Sequence, residues 1–230
     1  MCGRFHLEDS PEDIGRSLDA VVRFSWKPRY NIAPTQRIAV MRRVLQLSGQ
    51  PRREIVGMHW GLVPSWAKDV SIGSRMINAR AETAPEKPSF RKPWVDRRCI
   101  VPASGFFEWK RSPEGKQPHL IRRVDESVMG LAGLWESWRG PDGRELESVT
   151  LLTTAPNRFM KGIHDRMPVM LEREDWDSWM DDGRDGTSLE RIAELAGPAE
   201  EDLLETVAVS RHVNNPANDD PRCLEENTVR

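Results

Sequence analysis

The first five residues, Met1-Cys2-Gly3-Arg4-Phe5, put a cysteine directly behind the initiator methionine. A cysteine inside a chain offers only its thiol, because its nitrogen is held in a peptide bond. Aminopeptidases remove an initiator methionine when the next residue is small, so Cys2 is expected to become the first residue of the mature chain. It would then carry a free α-amine beside its thiol. An α-amine has a pKa of about 7.7–8.0 against about 10.4 for lysine, so at pH 7.4 roughly a quarter of it is neutral, against roughly a thousandth of an exposed lysine. Such an amine attacks an aldehyde, and the neighbouring thiol can close the resulting Schiff base into a five-membered thiazolidine ring. The competing reading makes Cys2 the second residue of an ordered N-terminal strand and nothing more.

Three further stretches hold residues suited to chemistry. In "SGFFEWK", Glu108 alternates with Phe107 and Trp109. A carboxyl among aromatic groups is disfavoured as the anion and suits proton transfer near neutral pH; strand alternation is equally compatible with an outward-facing glutamate. In "GIHDRMPVM", His164 opens a loop, where functional side chains concentrate, and histidine exchanges protons at physiological pH. In "SRMINARAET", Asn78 and Arg80 occupy alternate positions, so in an extended segment an amide and a guanidinium share one face and can hold a phosphate or a sugar. Upstream, "YNIAPTQ" and "HWGLVPSWAKD" supply Pro34, Trp60, Pro64 and Trp66. Exposed at loop tips such residues stack on unpaired bases, whereas buried ones are core. His6, His59, His119 and His212 lack metal-ligand spacing, and the three cysteines, at 2, 99 and 223, make neither a C-x-x-C site nor a disulfide framework.

The elements that must position these residues are short. Ser10 followed by Pro11 and Asp13 opens a helix carrying Ile14, Leu18 and Val21/Val22. Six β-branched or aromatic runs follow, at 37–44, 54–63, 99–109, 119–124, 128–138 and 147–155, separated by Gly, Pro and Asp. Later segments turn helical: "APNRFMKGI", "EREDWDSWMDD", and "TSLERIAELAGP" with Thr187 and Glu190 as a capping box. A last strand, "LETVAVS", precedes an irregular Asn-rich stretch. Strands grouped before helices indicate an α+β fold, a single domain with a curved mixed or antiparallel sheet, or a barrel-like core, and flanking helices. The domain is expected over 1–222, with a frayed tail at 223–230.

The 230 residues hold 30% charged and 38% hydrophobic side chains with nine tryptophans, which suits a globular protein. No run is long and apolar enough for a bilayer and no signal peptide is evident, so a cytoplasmic protein is expected. The net charge of −2 conceals an asymmetry: residues 1–100 carry 18 Lys and Arg against 10 Asp and Glu, whereas residues 171–230 carry 6 against 17. The basic part is able to meet a polyanion.

Taken in order, "MCGRF", "YNIAPTQ", "WGLVPSW", "INARAET", "RCIVPASGFFEW", "IHDRMP" and "VSRHVNNPANDDP" closely resemble the SRAP (SOS response-associated peptidase) family over residues 1–222. The resemblance implies a single barrel-containing α+β domain that binds single-stranded DNA and shields abasic sites, nucleoid-associated when bound and a monomer. It implies a covalent link between mature Cys2 and the ring-opened abasic sugar, with Glu108 and His164 moving protons and Asn78 holding the N-terminus or the sugar. Arg4 and Arg80 would hold phosphates, Trp66 and Pro34 would pack on flanking bases, and Thr153 would add a hydroxyl. Abasic single-stranded DNA, including DNA at a replication fork, would be the partner, with no cofactor, metal or membrane. Ala67 stands where some relatives carry a second aromatic, which bears on stacking. The family name also implies a peptidase, here the removal of Met1 by the protein itself. Two other classes fit parts of the pattern: an N-terminal-nucleophile amidohydrolase, whose chains also begin Met-Cys-Gly, and a non-covalent reader of damaged DNA.

Overall fold

The structure of the protein, a computed structural model, describes residues 2–113, 115–181 and 187–227. β1 (Phe5–Leu7), α1 (Pro11–Ser17), β2 (Ala20–Val22) and β3 (Arg29–Ile32) precede the long hairpin of β4 (Arg37–Leu45) and β5 (Pro51–Trp60). β6 (Asn78–Arg80), α2 (Arg91–Asp96), β7 (Arg98–Ala103), β8 (Gly105–Ser112) and β9 (Gly115–Arg123) follow. The remainder comprises β10 (Met129–Arg139), β11 (Glu145–Thr154), α3 (Arg158–Lys161), β12 (Met167–Pro168), β13 (Met170–Leu171), α4 (Trp176–Met180), α5 (Leu189–Leu195) and β14 (Leu204–Ala208).

Five strands close a mixed barrel. β4 pairs with β5 and β7, β7 with β10, and β10 with β11, all antiparallel; the ring shuts where β11 runs parallel to β5, Val149 opposite Trp60. Closure removes the two edges an open sheet would expose. Its strands carry fully buried apolar side chains, among them Val40, Met41, Ile55, Ile100, Leu131 and Leu151, that belong to one continuous core cluster. A second sheet, in the order β14-β9-β8-β1-β3, lies beside it. Alternation divides β8 between two cores: Phe106 joins the barrel cluster, whereas Phe107 joins a smaller one with Leu120, Val209, Val213 and Cys223.

The α+β class and the barrel expected from the sequence are therefore present, with local corrections. Ser10 caps α1 by accepting from the Asp13 N–H, and Ile14 and Leu18 are buried as their spacing requires. Val21 and Val22 do not continue that helix: Asp19 takes φ 49°, which ends it, and the two valines form β2 against β5. The single strand expected over 99–109 is two, broken at Ser104. The cap of α5 is Ser188, not Thr187: the Ser188 hydroxyl accepts from the Arg191 N–H at 3.2 Å. The chain also stays packed beyond residue 222. Cys223 is buried, Glu226 bridges Val209, and the Asn227 amide donates to Gln117 at 2.9 Å, so the frayed tail expected from 223 does not begin there; residues 228–230 lie outside the described residues.

Candidate active site

β1 delivers the N-terminus to the barrel rim. Phe5 packs edge-to-face on Trp60, ring centroids 5.2 Å apart, and Trp60 is fully buried with its Nε1 donating to the Ile77 carbonyl at 2.9 Å. Truncating a tryptophan so placed costs about 3–5 kcal/mol. Antiparallel pairing sets Phe5 opposite Phe106, and the Phe107 N–H donates to the Arg4 carbonyl at 2.9 Å. Extending that register brings Gly3 level with Glu108. On the other side, the Asn78 amide donates to the Cys2 carbonyl at 2.8 Å. Asn78 Oδ1 is buried and finds no hydrogen-bond donor among the described residues, so it stands ready for an amine or a hydroxyl.

In the chain that retains Met1, Cys2 is fully buried. Burial first, and then the Glu108 carboxylate, push its thiol up to about 12. Glu108 itself, 4% exposed, faces inward; burial lifts its carboxyl above the usual carboxylate range, opposed in part by the nearby His164. The alternative of a solvent-facing glutamate is thereby excluded. His164 follows α3, its N–H donating to the Met160 carbonyl at 2.9 Å. Its Nδ1 accepts from the Arg166 N–H at 3.0 Å and lies 2.9 Å from Asp165 Oδ1. One nitrogen cannot serve both: the backbone donor selects a ring protonated at Nε2 alone, the carboxylate selects a proton on Nδ1. Arg166 fixes the loop. It donates to both Glu82 oxygens at 2.7 and 2.8 Å and to the Thr153 carbonyl at 2.6 Å, and the bidentate pairing holds the Glu82 carboxyl below its ordinary range.

Arg80, Glu108, Thr153 and His164 line one cleft of about 470 Å³. Asn78 and Arg80 share β6, which runs parallel to β11 with Arg80 opposite Thr153, and this pairing is what brings the two motifs together. Thr153 is 1% exposed, its hydroxyl 3.4 Å from the Ala79 carbonyl. The cleft also takes Trp109, Arg111, Lys116 and Arg166, which the motif reading had not singled out. Arg111 and Lys116 face each other across the β8–β9 hairpin. Their charged positions either side of the turn are the signal that was there to be read.

Arg4, Pro34 and Trp66 are not among the residues lining that cleft. The half-buried Arg4 donates to Asn31 Oδ1 at 2.7 Å and the Val213 carbonyl at 2.9 Å, and its guanidinium lies 5.6 Å from the Trp109 ring centre. The expected phosphate ligand is thus bonded within the fold. Pro34 is half-buried, beside Thr35 at φ 68°. Trp66 is 59% exposed on the loop after β5. That loop leaves the barrel at Gly61, whose φ of 135° and contact with Gly73 forbid a side chain: a Cβ there would lie 2.5 Å from the Gly73 carbonyl oxygen. Among the described residues no three His, Cys, Asp or Glu side chains converge as a metal site.

The model of the SOS response associated peptidase (SRAP) family matches residues 1–216. The chain is 41% identical over 229 residues to the abasic site processing protein YoqW of Bacillus subtilis, covering 98% of this chain and 99% of that one. It is 31% identical to the abasic site processing protein HMCES of Gallus gallus, over 86% of this chain and 66% of that one. Among solved structures, a protein from Bacteroides thetaiotaomicron superposes with a TM-score of 0.86 at 25% identity, covering 98% of this chain and 99% of the other. One from Bordetella bronchiseptica superposes with a TM-score of 0.78, covering 91% and 100%. With the family model spanning the N-terminal cysteine, the Asn78 strand, Glu108 and His164 alike, the chain belongs to the SRAP family.

Proposed function

We propose that the protein processes abasic sites in DNA, and does so as a shield that captures the lesion covalently on single-stranded DNA through mature Cys2. After hydrolysis of the Met1–Cys2 bond, the α-amine attacks the aldehyde of the ring-opened deoxyribose. The carbinolamine loses water to give a Schiff base, and the thiol adds to its carbon, its proton passing to nitrogen. Aldehyde, amine and thiol thus become one thiazolidine and one water.

The chain's own groups suit each proton transfer. Glu108, whose burial favours its protonated form, protonates the departing hydroxyl and later takes the proton from the Cys2 thiol, whose pKa burial pushes up. His164 protonates the sugar ring oxygen as the cyclic form opens. Asn78 holds the Cys2 carbonyl with its amide and offers Oδ1 to the liberated amine. Arg80, Arg111 and Lys116 carry the phosphates, Trp66 and Pro34 pack on flanking bases, and Arg4 supports the groove floor beside Trp109. Thr153 closes the wall of the cleft.

The observation that carries this reading is the hydrogen bond from Asn78 to the Cys2 carbonyl, within the electrostatic reach of Glu108, which itself lines a cleft with Arg80, Arg111, Lys116 and Arg166. The test is intact mass of the purified protein with and without an oligonucleotide bearing one abasic site. Loss of the Met1 mass, followed by a gain of one oligonucleotide less one water, is the expected result. A trimmed, folded protein that stays unmodified overturns the proposal, and a glutaminase activity indifferent to DNA would replace it.

A further inference from the structure

Two of the sequence motifs hold a charged residue that the proposed chemistry leaves without a role: Glu82 in "INARAET" and Arg166 in "IHDRMP". Glu82 stands in the turn after β6, where the Ala81 N–H donates to the Thr153 carbonyl at 2.9 Å and the Ala84 N–H returns to the Arg80 carbonyl at 2.9 Å. The Arg166 guanidinium reaches the same Thr153 carbonyl and both carboxylate oxygens of Glu82. These bonds tie the loop after α3 to β11 and to the turn after β6, across 84 positions of sequence. Planar bidentate pairing fixes direction as well as distance.

What the clamp holds in place is a backbone donor. The Arg166 N–H points at His164 Nδ1, 3.0 Å away. Asp165 Oδ1 competes for that nitrogen at 2.9 Å, but the Asp165 side chain is 88% exposed, and a pair so open to water is worth little. The Arg166 side chain is mostly buried, so its N–H stays where it is while the Asp165 carboxylate is free to turn to solvent. An imidazole whose Nδ1 accepts carries its proton on Nε2. Glu82 is not among the residues lining the cleft, whereas Arg166 and His164 are, so any effect of Glu82 on the chemistry passes through Arg166. We propose that Glu82 is a positioning residue: through Arg166 it holds the residue 166 N–H against His164 Nδ1, so that the proton offered to the sugar ring oxygen sits on Nε2. This rests on the proposed part of His164 in opening the sugar.

The experiment reads the ring itself: NMR of the full chain with 15N-labelled histidine at pH 8, above the ordinary imidazole range, the His164 signals being identified by their loss from His164→Ala. In the parent, His164 should show an accepting Nδ1 and a protonated Nε2. In Glu82→Ala the two nitrogen signals should move toward each other as both tautomers populate. Crosslinking to abasic single-stranded DNA at saturating protein should slow by about ten- to a hundredfold, the scale of a displaced catalytic group. In a His164→Ala background the same substitution should slow it no further, because residues acting through one another are not additive. Glu82→Gln keeps one acceptor for Arg166 and should fall between parent and Glu82→Ala. Unchanged His164 signals, crosslinking at the parental rate, or as much further slowing in the His164→Ala background overturns the proposal. A parent that never crosslinks overturns the capture reading instead, and the tautomer of His164 in Glu82→Ala still decides what Glu82 does. If Glu82→Ala fails to fold, Glu82→Gln, near-isosteric at an exposed position, carries the same test.

Discussion

Replacing Glu108 by glutamine separates catalysis from stability at one atom. The carboxyl is 4% exposed and burial raises its pKa, so the folded state holds the proton more tightly than the unfolded state does. The folded protein then binds more protons than the unfolded one, and stability falls as pH rises from the unfolded pKa of about 4.3 through the folded value. Every tenfold gain in folded-state proton affinity costs about 1.4 kcal/mol once pH exceeds both pKa values. Glutamine is nearly isosteric and carries no charge, so Glu108→Gln should be at least as stable as the parent at pH 8, with the difference vanishing near pH 4. General acid–base catalysis contributes about 10²–10⁴-fold, and crosslinking should slow by that order. Gel-shift time courses with abasic single-stranded DNA give the rate, and urea unfolding at pH 4 and pH 8 gives the stability. A variant that crosslinks within about threefold of the parent rate would remove Glu108 from the proton transfers. One that loses stability at pH 8 would refute the account of its buried charge.

Cys2→Ser retains the amine and loses the sulfur, so it should give only a labile imine that borohydride traps; a serine adduct as durable as the cysteine one would exclude the thiazolidine. Trp66→Ala should weaken binding of single-stranded DNA by about 1–3 kcal/mol for one lost stacking platform, measured by fluorescence anisotropy. Because that ring is 59% exposed, thermal stability should change by no more than about 0.5 kcal/mol. Arg80→Ala should flatten the dependence of log affinity on log salt by about 0.7 for single strands; an unchanged slope would place the phosphate elsewhere.

Much of the site was legible because its residues sit in strands. Asn78 and Arg80 share a face by simple alternation, and β6 bears that out; the same alternation left the direction of Glu108 open, since only the neighbouring sheet decides which face of β8 is covered. Boundaries suffered where one residue overrode the pattern. Asp19 in the left-handed region turned an apparent helical continuation into β2, and Ser104 split a continuous apolar run in two. The Arg4 environment could not be read from its neighbours in sequence. Its acceptors are Asn31 and the carbonyl of residue 213, and the Asn-rich segment that supplies the second also clamps β3 through Asp219, which accepts from the Tyr30 and Asn31 N–H groups at 2.6 and 2.9 Å.

The stretch between Cys2 and Phe5 is pinned at both ends, by the Asn78 amide at one and by the pairing of β1 with β8 at the other. It therefore serves as a ruler of fixed length. One residue added between Gly3 and Phe5 would overshoot by about 3.3 Å and reverse which side the terminal group faces. In the proposed capture of an abasic sugar, the spacing from terminus to strand then counts as much as the cysteine itself, and an affinity tag or linker belongs at the other end of the polypeptide.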